Sequence, residues 1–204
     1  MRRRVAVEAC LSKSTSAAWR ATRLTIASST PRKVDPRRYH EAVAAERSPH
    51  AAEMPVCVYL ETTNRCNLLC TTCPRTYEQL EPPADMSWAL FTSIVDQLPG
   101  IVRAVLHGVG EPMLVRSLPL MVRYLKDRNV YVLFNTNGTL LNERSGRALI
   151  AAELDELRVS LDAANAESFK KIRGKNYFGR ILRNVRAFRE LQEREGHVKP
   201  RVSA

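Results

Sequence analysis

Three cysteines of this 204-residue chain fall together in Cys66-Asn67-Leu68-Leu69-Cys70-Thr71-Thr72-Cys73, a CxxxCxxC run. Random placement of five cysteines would give that spacing in roughly 0.003 cases. Thiolates are metal ligands and nucleophiles. Three of them on one short loop can turn inward on a single centre. A closed structural zinc site wants four ligands, so three sulfurs suit a cubane iron–sulfur cluster with one iron left open. The alternative on the residues alone is a zinc knuckle completed by His107 or by a partner's residue.

A loop of this kind needs strands and helices to hold it. Val56–Glu61 reads as a buried strand, with Cys57 a small core residue in it. Pro74, Pro82 and Pro83 keep the cysteine loop irregular. Ser87 is a candidate N-cap for a helix over Trp88–Leu98, with Leu90, Phe91, Ile94, Val95 and Leu98 at helical spacing. Further strands are expected at 102–107, Val130–Phe134 and Glu156–Leu161, with helices at Leu118–Asp127, Asn142–Ala152 and Phe178–Arg194. A helical turn is expected at Ser168–Ile172, and a fifth strand begins at Arg201. Alternating strands and helices predict an α/β fold, a partial (β/α) barrel of parallel strands. Such barrels carry their sites on the loops at the carboxyl ends of the strands.

The polar motifs fall at those ends. Gly110-Glu111-Pro112 follows the second strand, Asn135-Thr136-Asn137-Gly138 the third, and Ser160-Leu161-Asp162-Ala163 the fourth. With the cysteine loop after the first strand, this order resembles the radical S-adenosylmethionine (radical SAM) superfamily over about residues 54–204. Cys73-Pro74 and Arg173-Gly174 resemble its SPASM-containing branch, whose members modify peptides or small metabolites. Two departures stand out: Val109 replaces the usual first glycine of Gly-Gly-Glu-Pro, and Thr72 replaces the usual aromatic before the third cysteine. The family core usually has six strand–helix units, so the chain reads as truncated at about the fifth strand.

The resemblance implies a [4Fe-4S] cluster on Cys66, Cys70 and Cys73, with S-adenosylmethionine on its open iron. Reductive cleavage there yields a 5′-deoxyadenosyl radical that abstracts hydrogen from a peptide or small-molecule substrate. A flavodoxin- or ferredoxin-like electron donor is expected with it. Gly110, Glu111 and Pro112 are expected at the cofactor's amino group, because a carboxylate and backbone carbonyls accept hydrogen bonds from a cation. The alternative is an ordinary turn. Ser160 and Asp162 are expected at its ribose or carboxylate, or else as caps of the next helix. Asn135 is expected to line the pocket and Asn137 to serve the Asn-Gly turn. Arg173 either meets an anionic group or is solvated. His107 reads as a structural histidine.

The chain carries a net charge of +11. Residues 1–50 supply nine Arg and two Lys against four acids, a basic and poorly ordered extension by composition. A short helix near Tyr39–Arg47 is expected within it. Arg-rich, acid-poor composition also fits an organelle transit peptide. The segment interleaves few aromatics, Trp19 and Tyr39, so it supports a nucleic-acid surface weakly; RNA binding or modification through this segment stands as an alternative class. A catalytically incomplete iron–sulfur fragment is the other. No apolar run approaches the roughly 20 residues that span a bilayer. Clustered cysteines, an odd total and no clear secretory signal indicate a reducing compartment and a cytoplasmic protein. Cys10 has no visible partner.

Overall fold

A computed structural model of the chain describes residues 54–78 and 81–204. The basic segment 1–50, Cys10 and the helix expected near Tyr39–Arg47 lie outside these residues. The elements run β1 (Cys57–Tyr59), α1 (Trp88–Asp96), β2 (Arg103–Val105), α2 (Leu118–Lys126), β3 (Tyr131–Thr136), α3 (Glu143–Ala151), β4 (Glu156–Val159), α4 (Ala166–Arg173), α5 (Phe178–Arg194) and β5 (Arg201–Ser203). Short 3-10 turns at Pro74–Thr76 and Pro112–Leu114 follow the cysteine run and the Gly-Glu pair. The five strands form one parallel sheet in sequential order, the wall of an open (β/α) barrel.

Local chemistry sets the helix starts. The Ser87 side chain accepts from the Leu90 N–H at 3.1 Å. Asn142 and Ser145 form a reciprocal capping box at the start of α3. Such caps are worth about 1 kcal/mol each. Asn165 caps α4 through the Ser168 N–H at 2.9 Å, and α4 is a full helix rather than the single turn expected from sequence. Gly174, at φ 74°, ends it in the left-handed region that glycine tolerates.

The core lies between the sheet and the helices. Val132, Phe134, Leu157 and Ala104 point from the strands onto Phe91, Met121, Leu125 and Leu149. Each large side chain withdrawn from water there contributes about 1.5–3 kcal/mol. Leu90 is corrected from the expected buried stripe of α1: it is exposed, because the core-facing arc of this helix is carried by Phe91 and Val95.

The opposite, concave face of the sheet carries the alternate residues of each strand. This corrects the reading of β1 as buried and of Cys57 as a core residue. Cys57 and Tyr59 point to the concave side and are exposed, while Val58 points to the helices. Tyr131 is likewise exposed on that side, although Val132–Phe134 beyond it are fully buried.

Candidate cofactor and metal site

The cysteine loop leaves β1 and is fixed by three separate contacts to distant chain. The first is with the Gly-Glu-Pro segment. The Glu111 N–H donates to the Arg65 carbonyl at 2.8 Å. A Cβ on Gly110 would lie 2.0 Å from the Thr63 carbonyl oxygen. Only glycine allows backbone to approach backbone so closely. The 63–65 segment is itself tied down, since the Thr63 hydroxyl donates to Asp85 Oδ1 at 2.7 Å and Arg65 pairs with Asp85.

The second contact is a ring of side chains. Asn137 Nδ2 donates to Asn67 Oδ1 at 2.7 Å, Asn67 Nδ2 donates to the Thr139 hydroxyl at 2.8 Å, and that hydroxyl donates to Asn137 Oδ1 at 2.7 Å. Asn137 is therefore more than the turn residue expected from sequence: its side chain holds the residue next to Cys66. Asn67 and Thr139 were not singled out in the sequence, although Asn67 stands inside the cysteine motif.

The third contact is the end of α4. The Thr71 N–H donates to the Ile172 carbonyl at 2.8 Å, which satisfies a carbonyl left open at the helix terminus. A Cβ on Gly174 would meet the Leu69 carbonyl oxygen at 2.9 Å. Arg173 is buried, which decides against a solvated arginine. Its Nη1 donates to Cys70 Sγ at 3.4 Å, its Nη2 donates to the Ser160 carbonyl at 2.8 Å, and it pairs with Asp162.

These contacts enclose a cavity of about 170 Å³ lined by Cys66, Cys70, Cys73, His107, Gly108–Glu111, Asn135–Asn137, Ser160 and Arg173. Of the residues expected at a cofactor, Gly110, Glu111, Asn135 and Ser160 line it. Pro112 and Asp162 do not: Pro112 opens the 3-10 turn behind Glu111, and the Asp162 carboxylate is turned to Arg173.

Glu111 is only 2% exposed. Oε1 accepts from the Thr136 hydroxyl at 2.7 Å and the Met113 N–H at 3.1 Å, and Oε2 accepts from the Asn137 N–H at 2.6 Å. A carboxylate offers about four acceptor positions, so one remains on Oε2. Burial pushes the Glu111 carboxyl up, against the opposing pull of these hydrogen bonds. Burial also pushes the Cys66 thiol up; coordination to a metal is the ordinary way to release such a proton.

His107 Nδ1 accepts from the Asn135 N–H at 3.1 Å, which puts the ring proton on Nε2. Burial, and then the Arg158 charge, hold His107 below the ordinary histidine range. The expectation of a hydrogen-bonded histidine thus describes its position, and it lines the cavity as well.

The donor set fits the implied groups. Three thiols face one cavity, and Asn135 Oδ1 is buried in its wall with no hydrogen-bond partner among the described residues. An orphaned buried acceptor of this kind costs about 1–3 kcal/mol unless a ligand donates to it. No three His, Cys, Asp or Glu side chains among the described residues are grouped to hold a single metal ion.

The sequence model of the Radical SAM superfamily matches residues 60–198. The chain belongs to the radical SAM superfamily. Among curated relatives it is 31% identical over 139 residues to the mycofactocin maturase MftC of Mycobacterium ulcerans, covering 68% of this chain and 37% of the relative. It is 29% identical over 148 residues to the tungsten-containing aldehyde ferredoxin oxidoreductase cofactor-modifying protein of Pyrococcus furiosus, covering 71% of this chain and 41% of that one. The chain thus spans about two fifths of the length of these relatives. Among solved structures, Streptococcus suis SuiB bound to S-adenosylmethionine superposes with a TM-score of 0.59 at 15% identity, over 76% of this chain and 35% of SuiB. That likeness shows the fold.

Proposed function

We propose that this chain is the cofactor-binding part of a radical SAM iron–sulfur enzyme that cleaves S-adenosylmethionine reductively and uses the product radical to take hydrogen from a peptide or small-molecule substrate. The observation that carries this reading is the convergence of Cys66, Cys70 and Cys73 on the same cavity as Gly110, Glu111, Asn135 and Ser160. When bound, a [4Fe-4S] cluster with S-adenosylmethionine supplies one-electron reduction of a sulfonium and so a carbon radical.

The chain's own residues position and shield. Cys66, Cys70 and Cys73 would hold three irons. The free acceptor position on Glu111 and the carbonyls near Gly110 would receive an ammonium group. Asn135 Oδ1 and the Ser160 hydroxyl would meet adenosine donors. Pro112 would act by fixing the turn behind Glu111, and Asp162 through Arg173 rather than by direct contact. A flavodoxin- or ferredoxin-like protein would deliver the electron, in the cytoplasm. The described residues contain no helix long and apolar enough to cross a membrane.

The test is anaerobic reconstitution with iron and sulfide, followed by iron analysis, electron paramagnetic resonance and assay of 5′-deoxyadenosine after reduction. Four irons per chain and cleavage of S-adenosylmethionine are expected, both lost in Cys70→Ala. A single zinc ion in place of the cluster would sink the proposal, and a cluster without cleavage would leave only an iron–sulfur-binding segment.

A further inference from the structure

The cavity uses the carboxyl ends of the strands and leaves the concave sheet face below it without a role. That face is cationic. Register and strand alternation put Arg103, Arg158 and Arg201 on it, and Glu156 is its only acid among the described paired residues. Three guanidinium groups against one carboxylate leave two positive charges in excess.

Arg158 Nε and Arg201 Nη2 donate to the same Glu156 oxygen, Oε1, at 2.7 and 3.0 Å, and Oε2 accepts from the Tyr131 hydroxyl at 3.0 Å. Glu156 is 4% exposed, whereas the Arg158 and Arg201 side chains are 43% and 71% exposed. A guanidinium carries five N–H donors, and one N–H of each arginine is spent on Glu156. Arg103 Nε is buried with no hydrogen-bond partner among the described residues. Two forks gathered on one carboxylate form a ready clamp for further carboxylates.

The face also runs into the site. Arg158 is the register partner of Asn135, which lines the thiol cavity. Tyr59, 70% exposed, stands edge-on to His107 at the cavity mouth. The cations stand on three strands, Arg103 on β2, Arg158 on β4 and Arg201 on β5, so a ligand that meets all three must span them. Five strands spaced about 4.8 Å apart make the face about 19 Å wide, the span of about six extended residues.

We propose that the concave face binds an acidic peptide segment laid across the strands, its carboxylates held by Arg158 and Arg201 with Arg103 as the third cation. This deepens, and rests on, the radical SAM reading by naming the substrate class for the same site. The salt sensitivity of exposed charges makes the binding dependent on ionic strength.

The full 204-residue chain should be titrated with an N-acetylated, C-amidated peptide of alternating glutamate and glycine, with its glutamine counterpart, and with glutarate. The glutamate peptide should bind at low salt, with the glutamine peptide about tenfold weaker or worse. Arg158→Gln should weaken the glutamate peptide about tenfold. Arg201→Gln should weaken it in the same direction with only a small fall in melting temperature, since Glu156 keeps Arg158 and Tyr131 as partners. Equal binding of the glutamine peptide, or undiminished binding in both variants, would overturn the proposal. Glutarate binding as tightly as the peptide would overturn the peptide assignment. Iron content and cleavage are read separately: peptide binding by a chain that takes up no cluster would refute the enzyme and leave the clamp, and the reverse result would refute the clamp alone.

Discussion

At the carboxyl ends of the strands Glu111 is buried among neutral donors, the Thr136 hydroxyl and two backbone N–H groups. At the amino ends two buried carboxylates are each met by two cations: Asp155 by Lys126 and Lys199, and Glu156 by Arg158 and Arg201. The pKa directions follow. Burial raises Glu111. Hydrogen bonds, from Arg158 first, bring Glu156 down to about 2. Asp155 is lowered as well, because Lys126, Lys199 and the Val132 N–H outweigh its burial. At the amino ends the buried carboxylates are compensated and donors stand in excess, Arg103 Nε among them with no acceptor in the described residues; at the carboxyl ends acceptors stand in excess, Asn135 Oδ1 among them.

The contrast can be broken most forcefully at the amino end. Asp155→Ala leaves Lys126 uncompensated and the Val132 N–H without its acceptor. It should cost about 3–5 kcal/mol of stability in denaturant unfolding. Cluster loading per folded molecule should be retained, and a loss of loading would show that the two ends are not independent.

Gly110→Ala should do the reverse. The added methyl cannot fit against the Thr63 carbonyl, so the Gly-Glu segment must move relative to the cysteine loop. Displacements of about 1 Å at a reacting centre cost on the order of 100-fold in rate. Cleavage of S-adenosylmethionine should fall by about that factor, and an unchanged rate would refute the close approach.

Next in size is Arg173→Lys. A single ammonium cannot serve Cys70, the Ser160 carbonyl and Asp162 together. About 1–2 kcal/mol should be lost, with faster hydrogen exchange at the Thr71 N–H. Unchanged exchange there would mean that α4 does not clasp the loop.

The smallest effect is the pH profile of the metal-free protein. Glu156, lowered from 4.5 to about 2, contributes stability that is present above 4.5 and lost as pH falls through about 2. Glu111, raised from 4.5, has the opposite sign: it costs stability as pH rises above 4.5. The urea midpoint should climb and then decline, with Glu156→Gln flattening the acid limb and Glu111→Gln the decline.

What could be read from the sequence divides along the same line. Helix and strand order followed from local periodicity, and α5 spans the expected Phe178–Arg194. The three cysteines and Gly110-Glu111 were legible because their spacing and order are linear. The roles of Asn67 and Thr139 were not, because each meets a partner brought in from distant chain; Arg173 was read as meeting an anionic group or solvent, and its burial against Asp162 and Cys70 selects the first. Cys57 misled because a three-residue strand with one face uncovered has the same apolar spelling as a buried one.

The clasp on the cysteine loop has a consequence for biosynthesis. Thr71 and Cys70 are separated from Ile172 and Arg173 by 101 and 103 positions. At about 5–20 residues per second on the ribosome, the thiols emerge about 5–20 s before the helix end that will grip them. For that interval the nascent loop has its sulfurs but not its buckle, so metal delivered during synthesis meets a floppy chelator and metal delivered after release meets a set one.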